Sequence, residues 1–288
     1  MNIKESRPKS FIAVSLIYVV ASLFGIWVYN VLSFDIWLNL LIADVMATVL
    51  TFVFSLIFSN ASVYDPYWSV QPIVIIIAFA LGESLSLAKA LVIAAVLLWG
   101  VRLTANWAYT FHGLNHQDWR YTMLSEQTGR FYPLINFIGI HMVPTLVVYF
   151  ATLPGVYVIL SDAKGGVLAI LSFLVCLTAV ALQFFSDCQM HRYRIKRETP
   201  FIRIGLWKHS RHPNYLGEIM MWWGIALISV SSIGFHWFSF IGAIANTLLF
   251  LFVSVPMADR RQSCKAGFAE YKSQTRMFIP IAVFNKKA

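Results

Sequence analysis

Eight apolar stretches of this chain reach or approach the length that crosses a lipid bilayer, and that constrains the fold before anything else does. A helix rising 1.5 Å per residue needs about 20 apolar residues to cover the hydrocarbon layer. The runs are 11–31, 37–58, 67–81, 87–109, 132–153, 167–187, 214–232 and 237–255. They predict an all-α fold, a polytopic transmembrane helical bundle of about eight spans. The run 67–81 is short and has Pro72 near its start, so it is expected to tilt or re-enter rather than cross upright. The first run follows Lys4, Arg7 and Lys9 as a signal peptide would. It exceeds a typical h-region, no small-residue cleavage site stands out, and it reads as a retained anchor.

Charge is scarce and one-sided. Of the 288 residues 59% are hydrophobic and 12% charged, against about 25% charged in a soluble domain. Lys and Arg near span ends collect on the cytoplasmic side. With an even number of spans, the N-terminus, the Arg120/Arg130 loop, the 192–211 segment and the 260–287 tail all fall on one side. The opposite loops carry few charges, among them Asp35, Glu83, Asp162 and Lys164. The expectation is an integral membrane protein of a bacterial inner membrane with both termini cytoplasmic. The net charge of +9 follows from that asymmetry and from attraction to anionic membrane lipid. Nucleic acid is not expected as a partner, because no basic domain with aromatic platforms lies outside the membrane. Cys176, Cys188 and Cys264 are scattered and imply neither a disulfide framework nor a CxxC site. With no internal repeat or low-complexity linker, residues 1–288 read as a single membrane domain, and no protein partner can be inferred.

Polar residues inside such a chain carry most of the functional information. Gln183, Asp187, His191 and Arg194 are spaced by four, four and three, which stacks them on one helical face as the helix leaves the membrane. Arg192, Lys196 and Arg197 suit lipid phosphates. Asp187 does not, since anionic lipid would repel it, but it can accept hydrogen bonds from an amide or a ribose hydroxyl. Further on, IGLWKHSRHPNYLGEIMMWWG (204–224) turns a basic loop into an apolar helix. Pro213 suits the first turn, His212 or Ser210 stands near the cap, and the free backbone N–H groups favour an anion. Arg203, Lys208 and Arg211 add positive charge there. Asn214 and Glu218 lie four apart on a common face; Asn214 alone is an ordinary turn residue, whereas a glutamate inside the bilayer is usually functional or paired. Together these read as a cradle for a phosphate-bearing ligand with polar rings. In the tail, Tyr271 and Arg276 are placed to close over such a ligand, although an amphipathic helix on the membrane surface would look much the same.

Earlier in the chain, Asp65 stands between Tyr64 and Tyr67 at the head of the short third run. The tyrosines suit an interfacial belt, and Asp65-Pro66 equally suits a helix start. His112 and His116 with Asp118 lack a second converging cluster, so they read as a polar loop, with no metal site expected. His141 and His236 read as packing or interface residues.

The C-terminal third resembles a known family. Ser186-Asp187 with Arg194, then GLWKHSRHPNYLGE (205–218), then F-x-x-Y-x4-R-x2-I-P from Phe268 resemble the steroid 5-alpha-reductase-like membrane enzymes. Within them the similarity is to the bacterial branch of unassigned function, in which WGxRL, here Trp99 to Leu103, recurs. The resemblance is strong over about 183–280 and weak before that. It implies a seven-helix reductase core plus one N-terminal helix, and a cofactor-binding half at about 183–280 that takes NADPH at the cytoplasmic end of the last helices. It also implies hydride transfer to an activated C=C bond of a lipid-like, steroid or isoprenoid-like substrate. Asp187, Arg194, Asn214 and Glu218 match the family's cofactor positions, Gln183 stands where an asparagine is usual, and Arg260 stands in for a looser tail position beside Asp259 and Cys264. The family's early Gln-Glu pair and the tyrosine of the next helix have no clean equivalents and fall near Asp65 and Trp99. The sister branch, isoprenylcysteine carboxyl methyltransferase and related enzymes, uses a similar RHPxYxG turn for S-adenosylmethionine. A methyltransferase is therefore the alternative reading, and a non-enzymatic lipid-binding protein a third. Hydride addition to a conjugated alkene leaves charge developing on the carbonyl oxygen, which needs a proton donor or hydrogen bond. Asp65, Tyr64, Tyr67 and Tyr109 are the expected catalytic residues, Asp65 acting as the acid or as the orienter of a tyrosine hydroxyl.

Overall fold

The computed structural model describes residues 3–278. Its α-helices are α1 Arg7–Val31, α2 Ile36–Ile57, α3 Tyr67–Ala80, α4 Leu87–Thr110, α5 Trp119–Thr128, α6 Tyr132–Ile135, α7 Val143–Leu160, α8 Val167–Lys196, α9 Leu206–His209, α10 Pro213–Ile233, α11 Ile241–Leu249, α12 Val255–Ser263 and α13 Phe268–Gln274. No strand forms among the described residues, only one isolated parallel bridge between Ser210 and Arg276. Eight helical segments are long and apolar enough to cross a membrane, one for each apolar run, so the chain is an all-α polytopic bundle and an integral membrane protein. The outer face of α1 shows why: Ile12, Leu16, Val19, Leu23 and Trp27 are all exposed at i, i+4, i+7 and similar intervals, a stripe that only lipid would cover well.

Local chemistry sets the helix ends. The Asp35 carboxylate accepts the N–H groups of Trp37 and Leu38 at 3.0 and 3.1 Å, the N-cap that starts α2. Pro213 occupies the first turn of α10, where its missing N–H costs nothing. α8 runs unbroken for 30 residues and stops at Arg197, which adopts a left-handed conformation (φ 46°, ψ 40°).

Several spans extend beyond their sequence-based outlines, the third and fifth with a change of form. The third is longer than the run 67–81 suggests, because a 3-10 turn at Ala61–Tyr64 precedes α3 and the helical path covers 20 residues, Ala61–Ala80. Pro72 lies inside α3 rather than ending it. The fifth is helical from Trp119 to Leu160, 42 residues, far beyond the roughly 20 that cross a bilayer. It is broken by a 3-10 turn at Gly129–Phe131 and by a π-helical stretch, Asn136–Met142. In that stretch the Nδ1 of His141, a fully buried residue, lies 3.0 Å from the Asn136 carbonyl oxygen. A second π-helical stretch, Phe250–Ser254, joins α11 to α12 and carries the last span on to Ser263.

The chain packs as two compact units, Met1–Leu81 with Trp99–Phe150, and Gly82–Leu98 with Ala151–Ala288. The first is centred on α1, α2 and the 60–67 segment, with Val14, Ile17, Tyr18, Ala47, Tyr64 and Tyr67 in one buried cluster. The second is centred on α8 against α10. A Cβ at Gly217 would lie 2.5 Å from Gln183 Cγ and 2.8 Å from the Ala179 carbonyl oxygen, and one at Gly224 would lie 2.4 Å from Cys176 Sγ. Lipid gives helices no hydrophobic reason to associate, so such close backbone approach is what holds a pair together.

Candidate functional site

The tight α8–α10 contact places the polar stripe. As α10 residues advance from Gly217 to Gly224, their α8 neighbours retreat from Gln183 to Cys176, so the two helices are antiparallel. Across that contact Gln183 Nε2 donates to Glu218 Oε2 at 2.8 Å, and Trp222 Nε1 donates to Glu218 Oε1 at 3.1 Å. Glu218 is only 5% exposed. The buried glutamate is held by neutral donors of the bundle itself, including Trp222, which sequence reasoning missed although it lies one turn further along the same face.

One turn toward the open end of the pair stand Asp187 on α8 and Asn214 on α10, both half-buried. Asn214 Oδ1 is buried yet has no hydrogen-bond partner. Burying an amide oxygen unmet costs free energy, so this atom marks where a ligand donor would be welcome. His191 is half-buried on the same face of α8, and Arg194, in its last turn, is exposed. Arg203, Lys208, Arg260 and Arg276 are also exposed, a set of solvated cations around the same connection.

Arg211 and His212 do something other than expected. Read from sequence they face an incoming anion; in the structure they face Asp259. His212 Nε2 lies 3.0 Å from Asp259 Oδ1, and Arg211 donates from Nη2 to Asp259 Oδ2 at 3.3 Å, with Lys272 Nζ 3.2 Å from the same oxygen. Asp259 is buried, and a buried carboxylate draws nearby cations to itself. The rest of Arg211 holds the tail: Nη1 donates to the carbonyls of Thr275 (2.6 Å) and Lys272 (3.3 Å). Backbone N–H groups of Arg211 and His212 donate to the Arg276 and Met277 carbonyls at 2.9 and 3.1 Å. His212 begins α10 without a side-chain cap bond, its ring instead stacked on Tyr215. Tyr271 also closes on protein, its hydroxyl donating to the Trp207 carbonyl. Burial holds that hydroxyl above the ordinary phenol range. The tail motif is thus a latch on the 204–213 connection, as far as it is described; its last two positions, 279 and 280, lie outside the described residues.

In the first unit the expected catalytic residues separate. Asp65 accepts from the Tyr121 hydroxyl at 2.5 Å, so the tyrosine it orients is Tyr121, neither of its neighbours in sequence. It provides no side-chain cap to α3 either, whose N-cap is Pro66. Tyr64 pairs with Thr145 Oγ1 at 2.8 Å. Tyr67 donates to Asp44 Oδ1 at 3.0 Å, and Gln71 Nε2 donates to Asp44 Oδ2 at 2.8 Å. Tyr64 and Tyr67 stack with centroids 5.3 Å apart and are buried, but Tyr109 is 63% exposed and does not join them. Asp44 and Gln71 were legible as polar residues inside apolar runs, the usual mark of function in a membrane helix, and were passed over in favour of Asp65.

A model for a family described as a protein of unknown function, DUF1295, matches residues 51–275. An uncharacterized protein of Schizosaccharomyces pombe is 24% identical over 292 aligned residues, covering 89% of this chain and 82% of that one. No solved structure matches the chain.

Proposed function

This chain belongs to the DUF1295 family, which includes steroid 5-alpha-reductase-like proteins, and from that membership and the site chemistry we propose that it is an NADPH-dependent membrane reductase acting on an activated C=C bond of a lipid-like substrate. The observation that carries the reading is the partnerless, buried Oδ1 of Asn214 beside half-buried Asp187. A carboxamide or ribose hydroxyl supplies the donor that Asn214 Oδ1 lacks. Around them Arg194, Arg203 and Lys208 are exposed and can meet the phosphates of a dinucleotide. NADPH, when bound, supplies the hydride. Glu218 and Gln183 hold α8 and α10 in register, so that Asn214 and Asp187 keep their places. Asp65 with Tyr121 is the pair we assign to proton delivery, in place of Asp65 with Tyr64 or Tyr67.

Arg211 and His212 are engaged by Asp259, so the RHPNYLG turn favours neither NADPH nor S-adenosylmethionine. Titrating the purified protein with NADPH, NADH and S-adenosylmethionine, followed by tryptophan fluorescence, tests the proposal. Saturable binding is expected for NADPH, weaker binding for NADH, and none for S-adenosylmethionine. Asn214→Ala should weaken NADPH about tenfold, the cost of one lost hydrogen bond of about 1.4 kcal/mol, without moving the melting temperature. Saturation by S-adenosylmethionine alone would assign a methyltransferase, and no binding of any of the three a non-enzymatic lipid-binding protein.

A further inference from the structure

The first unit contains a cavity of about 360 Å³ enclosed by α1, α2 and α3, within the roughly 300–1,000 Å³ typical of small-molecule sites. Small side chains on all three helices leave the space: Ala21 and Gly25 on α1, Ala43 and Ala47 on α2, Val74 and Ala78 on α3. Ile26 and Leu81 also line it and are 42% and 76% exposed. Its mouth is therefore part of the apolar surface of the spans, open to a molecule arriving from lipid. More than half of its lining residues precede residue 51, where the family match begins, while Tyr67 and Gln71 lie within it.

Its polar end is one-sided. Asp44, Tyr67 and Gln71 line it and are each more than nine-tenths buried. The Tyr67 hydroxyl and one N–H of Gln71 are turned onto the Asp44 carboxylate, and the atom left without a partner is an acceptor, Gln71 Oε1. Among the described residues lining the cavity there is no Lys, Arg or His, so nothing there invites an anionic headgroup. A ketone, ester or ether brings further acceptors and leaves Gln71 Oε1 unmet. A hydroxyl brings the missing hydrogen and can accept in return.

We propose that this cavity binds a lipid alcohol, its apolar body among the small residues of α1, α2 and α3 and its hydroxyl donating to Gln71 Oε1 beside Asp44. The site is independent of the reductase reading and stands whether or not a dinucleotide binds elsewhere in the chain.

The test uses the full chain in lipid nanodiscs with tritiated farnesol as probe and unlabelled farnesol, farnesyl methyl ether and the parent hydrocarbon as competitors. Farnesol should bind saturably, and the ether and hydrocarbon should compete at least about tenfold less well, the usual loss when a buried acceptor is left unmet. Gln71→Leu should erase the difference between alcohol and ether while the weak competition by the ether stays as it was. Val74→Phe, or Ala78→Phe should the first variant fold poorly, fills the cavity and should abolish binding of all three. Equal competition by alcohol and ether in the unmodified protein overturns the proposal. So does a preference for the alcohol that survives Gln71→Leu, or farnesol binding that survives a folded cavity-filling variant.

Discussion

Glu218 sits where an ionised side chain is costly, and the bundle meets that cost with two donors, the Gln183 amide and the Trp222 indole. Substitutions there separate charge from hydrogen bonding. In Glu218→Gln the new amide oxygen still serves Trp222, and Gln183 can turn its own amide over to accept from the new NH2 group, so thermal unfolding in detergent should stay close to that of the unmodified protein. In Glu218→Leu both donors lose the carboxylate, each loss costing about 1–3 kcal/mol, and the melting temperature should fall by several degrees. Equal melting for the two variants would show that the hydrogen bonds do not hold the helix pair. At this scale the sequence was half legible. The four-residue spacings of Gln183 with Asp187 and of Asn214 with Glu218 put them on two helix faces. That the two faces meet at Gln183 and Glu218 is decided by Gly217 and Gly224, whose closeness to α8 leaves no periodic signal. Asp65 shows the opposite failure: its neighbours in sequence looked like partners, but a 3-10 turn points Tyr64 at Thr145, leaving Tyr121, 56 residues on, as the one that reaches it.

Among the elements, the apolar helices were readable because lipid demands length and composition, whereas the interruptions within them were not. The π-helical stretches at Asn136–Met142 and Phe250–Ser254 lie inside the apolar runs 132–153 and 237–255, so hydropathy does not mark them off. The tail misled for an electrostatic reason. Arg211 and His212 look like ligand-binding cations until Asp259, about 48 residues downstream, claims them. Asp259→Asn keeps the shape and removes the charge that gathers Arg211, His212 and Lys272. Limited trypsin digestion of that variant should cut at Lys265 and Lys272 several times faster than in the unmodified protein, with the spanning helices left intact. An unchanged cleavage pattern would mean that the backbone bonds to Arg276 and Met277 suffice to hold the tail.

For the whole molecule, the expectation most exposed to test is orientation. Eight candidate spans with the basic segments on one side require both termini to share a compartment. A fluorescent reporter fused after Ala288 should report cytoplasm, and alkaline phosphatase inserted after Asp162 should be active on the far side. Matching readouts at the two sites would mean that one of the three segments between them, Val167–Lys196, Pro213–Ile233 or Trp237–Ser263, does not cross, and Trp237–Ser263, with its π-helical interruption, would then be the first suspect. Over generations the α8–α10 contact also governs what the chain can become. A methyl group at 217 would meet the stem of Gln183 and the Ala179 carbonyl, so residue 217 cannot grow, whatever stands at 183, while the two helices keep this spacing. Glycine at 217 leaves room for the long amide at 183, and with it for the bond that ties Gln183 to Glu218 across the helix pair.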